Sequence, residues 1–240
     1  MNKCVGEAVE LAEALKAQVA DVQAVEMAVC PTFTALPAVA QALEGSKIAV
    51  GGQNCYPKES GAFTGEISPQ MLLDVGCTWT IIGHSERRHI FKESDEFLNE
   101  KVRYALDTGL KVMFCIGETL DERESGVMNN VLTCQVTEGL KGLSEQDFER
   151  IVVAYEPVWA IGTGVVATPA QAEEAHAYVR EVLGSTFGEA VAGNIRIQYG
   201  GSVKPDNAGE LIALENVDGF LVGGAALKAD SFAAIIKSAA

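Results

Sequence analysis

Val152-Val153-Ala154-Tyr155-Glu156-Pro157-Val158-Trp159-Ala160-Ile161-Gly162-Thr163-Gly164 is the stretch on which the reading of this chain turns. A β-branched run, the mark of a buried strand, stops at a carboxylate. Proline after Glu156, an apolar tract and two glycines then describe a loop with a stiff start and a flexible end, suited to closing over a ligand and excluding water. Gly162 to Ala167 also fits a loose dinucleotide fingerprint. In that fold the first glycine follows its strand immediately and opens the helix; here several residues intervene, and the helix signal waits for Thr168-Pro169.

Outward from this segment, short β-branched runs alternate with longer amphipathic stretches. Strands are expected near Val25–Cys30, Lys47–Gly52, Thr78–Ile82, Lys111–Ile116, Ile151–Tyr155, Ile195–Tyr199 and Gly219–Val222. Ser68-Pro69 and Thr168-Pro169 each place a cap and then proline at the first helical position, while Gly76 and Gly109 stop helices. Such alternation predicts a parallel sheet with helical crossovers, in an open doubly wound form or a closed barrel. No linker or composition break divides residues 1–240, so one domain is expected. Val5–Val19 reads as an amphipathic helix with no strand before it, leaving about seven strands where a (β/α)8 barrel has eight.

Other strand ends carry chemistry as well. Trp79-Thr80-Ile81-Ile82 runs into Gly83-His84-Ser85-Glu86-Arg87-Arg88, placing an imidazole at the carboxyl end of its strand, where barrel enzymes keep their catalytic groups. His84 gains meaning from its pairing with Glu156 on another strand; His89 and His176 sit in helical stretches and carry no such signal. Gly200-Gly201-Ser202 and Gly223-Gly224 follow the last two strands. Either pair alone suits a tight turn, but exposed amides in two consecutive terminal loops match a barrel phosphate site.

Eighteen basic against thirty-three acidic residues give a net charge of -15, a surface that repels a nucleic-acid backbone. An anionic metabolite meets the same field, so its site must draw local positive potential from amides or helix ends. Apolar residues make up 48% of the chain, yet no run reaches the length of a membrane span, and no membrane partner is expected. The six cysteines are scattered, with no CxxC pair and no clustering with histidines. Neither a metal site nor a disulfide framework is expected, and a cytoplasmic address fits free thiols.

The words AYEPVWAIGTG, IIGHSERR, QYGGSV, LVGGA, FCIGET and SGAFTGE, which span Ser60 to Ala225 and fall along the chain in the right order, together resemble the triosephosphate isomerase family. The resemblance implies a TIM (β/α)8 barrel that isomerises triose phosphates without a cofactor. Glu156 would move the proton between two carbons, and His84 would polarise the carbonyl and steady the enediolate. Gly162, Ser202, Gly223 and Gly224 would bind phosphate beneath a lid running from Pro157 to Ala167. Ser60–Glu66 resembles the loop that projects into a partner subunit, implying a homodimer.

Two departures accompany the resemblance. The family opens with a strand ending in Asn-x-Lys just before the Met1-Asn2 of this sequence; Lys3 does not match that lysine, and Glu86 would lose the partner the family gives it. Loss of one preorganised donor typically costs roughly 100- to 1,000-fold in turnover, so impaired activity is expected, and a non-catalytic phosphosugar-binding barrel is the alternative. The second departure is Val165, where many members carry lysine.

Overall fold

The computed structural model describes residues 1–161 and 166–240. Gly162 and Val165 therefore lie outside the described residues. Among the described residues seven strands form: β1 (Met27–Val29), β2 (Ile48–Gly52), β3 (Trp79–Ile82), β4 (Lys111–Ile116), β5 (Ile151–Tyr155), β6 (Arg196–Tyr199) and β7 (Gly219–Phe220). Each pairs in parallel with the next in chain order. A doubly wound sheet reverses its strand order at a switch point; this one never does, which decides for the barrel winding.

All seven expected strands are present. The extended runs predicted around β1 and β7 shorten most, to Met27–Val29 and Gly219–Phe220, because each of these strands has a ladder on one side only. The predicted opening helix is Val5–Gln18, and among the described residues no strand precedes it. It packs against Leu36–Ala42 and Ala229–Ser238, so the helical layer continues across the seam where the sheet does not.

The helix signals act as expected. Ser68 Oγ accepts the Met71 N–H at 3.2 Å. Thr168 Oγ1 accepts the Gln171 N–H at 3.2 Å while Gln171 Oε1 accepts the Thr168 N–H at 2.9 Å, a reciprocal capping box that opens the helix Pro169–Phe187. None of the described helices is long and apolar enough to cross a membrane.

Parallel strands covered on both faces are apolar on both. On β4 and β5, Met113, Cys115, Val152 and Ala154 join Trp79 and Ile81 in a small inner core, while Val112, Phe114, Ile116, Ile151, Val153 and Tyr155 face the large core beneath the helices. The period of two along β5 carries the inward series Val152, Ala154 onward to residue 156. A carboxylate thus arrives at the mouth of the inner core on the carboxyl rim.

Candidate active site

Because all seven strands run the same way, the loops after β3, β5, β6 and β7 share one rim, and with them His84, Glu156, Ser202 and Gly223-Gly224. Gly83 leaves β3 with φ of 80°, a left-handed conformation favouring glycine, and the turn starts the short helix Ser85–His89. His84 caps that helix: its Nδ1 accepts the Glu86 N–H at 3.2 Å. In a neutral imidazole whose Nδ1 accepts, the proton sits on Nε2. That Nε2 lies 3.0 Å from Glu156 Oε1.

The second carboxylate oxygen, Glu156 Oε2, accepts the Ser85 N–H at 2.8 Å. Glu156 is only 2% exposed. Burial pushes its carboxyl above the ordinary carboxylate range, against the opposing pull of His84, the Ser85 amide, Arg88 and Cys115. A carboxylate poised upward in this way is better matched to proton abstraction near neutral pH. Beside it, burial first and the Glu156 charge second raise the Cys115 thiol well above its usual value.

Neighbouring groups hold these two in register. Arg88 donates to the Gly83 carbonyl at 2.9 Å and to the Cys115 carbonyl at 3.0 Å, and pairs with Asp95, tying the ends of β3 and β4. The Glu156 N–H donates to the Ile116 carbonyl at 2.7 Å. Glu118, fully buried, collects the Tyr155 hydroxyl at 3.0 Å, the Trp159 indole N–H at 2.8 Å and Arg123 at 3.1 Å on Oε1. Its carbonyl accepts the Val158 N–H at 3.1 Å. The first turn of the expected lid, Val158–Ala160, is therefore anchored to the segment after β4.

A helix-capping histidine facing a buried glutamate across two barrel strands is the pairing for which one family is itself the standard illustration. The family model described as triosephosphate isomerase matches residues 1–239. The chain belongs to the triosephosphate isomerase family. It is 53% identical over 232 residues to the triosephosphate isomerase of Fusobacterium nucleatum, covering 97% of this chain and 92% of that protein. The triosephosphate isomerase of Carboxydothermus hydrogenoformans is 53% identical over 228 residues, 95% of this chain and 89% of the relative. That of Prosthecochloris aestuarii is 50% identical over 240 residues, 100% and 94% respectively.

Within this triosephosphate isomerase fold, the structure brings His84 and Glu156 into contact and sets Gly200, at the start of the loop after β6, against the Glu156 side chain, where an added Cβ would meet Cγ at 2.9 Å. Ser202 is partly buried, its carbonyl accepting Asn207 Nδ2 at 3.0 Å, and Gly223 and Gly224 are exposed on the rim. The Gly200 amide is committed to the Tyr155 carbonyl at 2.7 Å, so it is not among the amides open to an anion. Glu86 is 68% exposed, 3.9 Å from the far side of the His84 ring. Ser85, Arg88 and Glu118 escaped sequence reasoning although each sits beside or within a recognised word; a hydrogen-bonding task leaves no periodic trace.

Proposed function

We propose that this chain is a triosephosphate isomerase that interconverts dihydroxyacetone phosphate and D-glyceraldehyde 3-phosphate through an enediolate. The observation carrying the proposal is the 3.0 Å approach of His84 Nε2 to Glu156 Oε1 in a buried site on the carboxyl rim. Glu156 takes the proton from one carbon and returns it to the next. His84 donates Nε2–H to the carbonyl oxygen, whose charge grows as the enediolate forms. That N–H now faces Glu156, so substrate has to exchange a carboxylate acceptor for its own oxygen before the base is free. A non-catalytic phosphosugar-binding protein has no use for a buried, raised-pKa carboxylate facing a proton-bearing nitrogen.

On this reading Ser202, Gly223 and Gly224 bind the phosphate together with Gly162, which lies outside the described residues, and residues 1–240 work as one barrel domain. A homodimer through Ser60–Glu66 is supported by the exposure of that whole projection and by the Tyr56–Phe63 ring contact at 4.4 Å that stiffens its base. Sedimentation of the parent and of Phe63→Asp, which is expected to run as monomer, tests the dimer. A cytoplasmic location accords with the glycolytic reaction.

The deciding assay is isomerisation of glyceraldehyde 3-phosphate by the 240-residue chain and by a version carrying a family-like first strand with Asn-x-Lys ahead of Met1. The extended version is expected to turn over roughly 100- to 1,000-fold faster, the worth of one preorganised donor facing developing charge. Two folded but inert proteins would overturn the assignment.

A further inference from the structure

The carbonyl and the amide of Gly117 both end on one side chain. The Gly117 N–H donates to Gln135 Oε1 at 2.7 Å, and Gln135 Nε2 donates to the Gly117 carbonyl at 3.1 Å. Gln135 is buried, on the helix Met128–Gly139. That helix lies directly on β4: a Cβ added at Gly139 would meet Phe114 Cζ at 2.2 Å. The amide is thus delivered from a support with no room to slide.

Gly117 in turn abuts the base. A Cβ at this position would lie 1.8 Å from the Glu156 carbonyl oxygen and 2.7 Å from its carbonyl carbon, so the two backbones touch without any intervening atom. The next residue is Glu118, whose carboxylate and carbonyl hold Tyr155, Trp159 and Val158. Gly117 and Glu118 are therefore one short lever with the backbone of Glu156 on one side and the first turn of the lid on the other. Gln135 holds both backbone polar groups of Gly117.

We propose that Gln135 is a positioning residue for the isomerisation, its amide clamp on Gly117 setting both the Glu156 carboxylate and the anchorage of the lid at Trp159. The proposal rests on the functional reading above for its catalytic consequence, but its structural core is independent of turnover. A displacement of about 1 Å at a reacting group can cost on the order of 100-fold in rate. Because the Gly117 and Glu156 backbones are in direct contact, a shift of Gly117 on release of the clamp is passed to the base.

The test compares the parent with Gln135→Met, which keeps the length and removes both bonds, and Gln135→Glu, which keeps an acceptor for the Gly117 N–H and removes the donor. Two readouts are taken under conditions where each variant is folded: kcat and KM, and hydrogen exchange of the Ser85 amide, which reports on Glu156 Oε2 from a different strand. Gln135→Met is expected to lower kcat roughly 10- to 100-fold with KM nearly unchanged, and to speed Ser85 exchange; Gln135→Glu is expected to fall between it and the parent. A residue that merely stabilises the fold would lower the unfolding midpoint while leaving kcat and Ser85 protection at parental values, and that result overturns the proposal. Should Gln135→Met not fold, Gln135→Glu decides by the same two readouts. Should the parent itself show no isomerisation, the functional reading fails, and Ser85 exchange alone decides whether the clamp sets Glu156.

Discussion

Every residue of β4 after Lys111 is buried and every residue of β5 is buried, whereas both residues of β7 and two of the three in β1 are partly exposed. β4 and β5 have ladders on both sides; β1 and β7 each have one. The inner core follows the same division, with Trp79, Met113, Cys115, Val152 and Ala154 buried and Ala28, Ala49 and Leu221 only partly covered. Glu156, His84, Glu118 and Gln135 all belong to the closed half. Groups that must stay fixed to a few tenths of an ångström stand where backbone is pinned from two sides, and the exposed Gly223-Gly224 loop stands on the seam.

The largest expected effect tests that division through packing alone. Phe114→Ala removes a fully buried ring beneath the helix Met128–Gly139 and should cost about 3–5 kcal/mol of stability. Phe220→Ala removes a ring that is already partly in water and should cost about 1–2 kcal/mol, the transfer energy of the fraction it buries. Urea unfolding of both variants provides the measurement, and equal costs would mean that the seam is as tightly packed as the closed half.

Chemistry should divide in the same way. His84→Ala removes the proton-bearing Nε2 that faces Glu156 and is expected to lower kcat roughly 100- to 1,000-fold. Ser202→Ala, in the loop after β6 proposed to hold the phosphate, should act on KM by about tenfold and leave kcat close to the parent, since on that reading its bond is made equally before and during proton transfer. Steady-state kinetics on the two variants separate these outcomes; a kcat collapse in Ser202→Ala would move that loop into the reacting centre.

The legibility of the sequence follows the comparison too. Strand positions were readable because a two-sided strand is a run of β-branched residues, and even the seam strands carried enough of it to be found, though not to keep their ends. The winding was not readable from periodicity, since right-handed crossovers build open sheets and barrels alike. His84 and Glu156 were legible as strand-end residues in distinctive words. Gln135 was not: a lone glutamine in an amphipathic helix looks like its solvated neighbours, and only the tertiary fold shows that its amide meets Gly117, 18 residues earlier. His176 was equally silent. It lies on the helix Pro169–Phe187 and turns out to be fully buried against the rings of Tyr155 and Tyr199, at centroid distances of 5.6 and 6.1 Å.

That histidine gives the closed half an acid sensitivity of its own. Burial drives His176 down from 6.5 to about 4; the Asn216 carbonyl, Asp218 and Glu173 pull the other way, and Arg180 reinforces the fall. Its Nδ1 stands 3.1 Å from the Asn216 carbonyl, so the ring is held neutral with that nitrogen as donor. Between pH 6.5 and 4 the unfolded chain binds a proton at this position and the folded chain does not. The contribution is therefore complete above pH 6.5 and is lost as pH falls toward 4, amounting to about 3 kcal/mol over the whole window. Urea unfolding at pH 7 and at pH 5 reads the upper part of that loss before the ordinary carboxylates titrate. His176→Gln, which cannot take up the proton, should be less stable than the parent at pH 7 and lose less on going to pH 5. If both proteins lose the same stability, the acid sensitivity resides elsewhere, and the burial of His176 between two tyrosines serves packing alone.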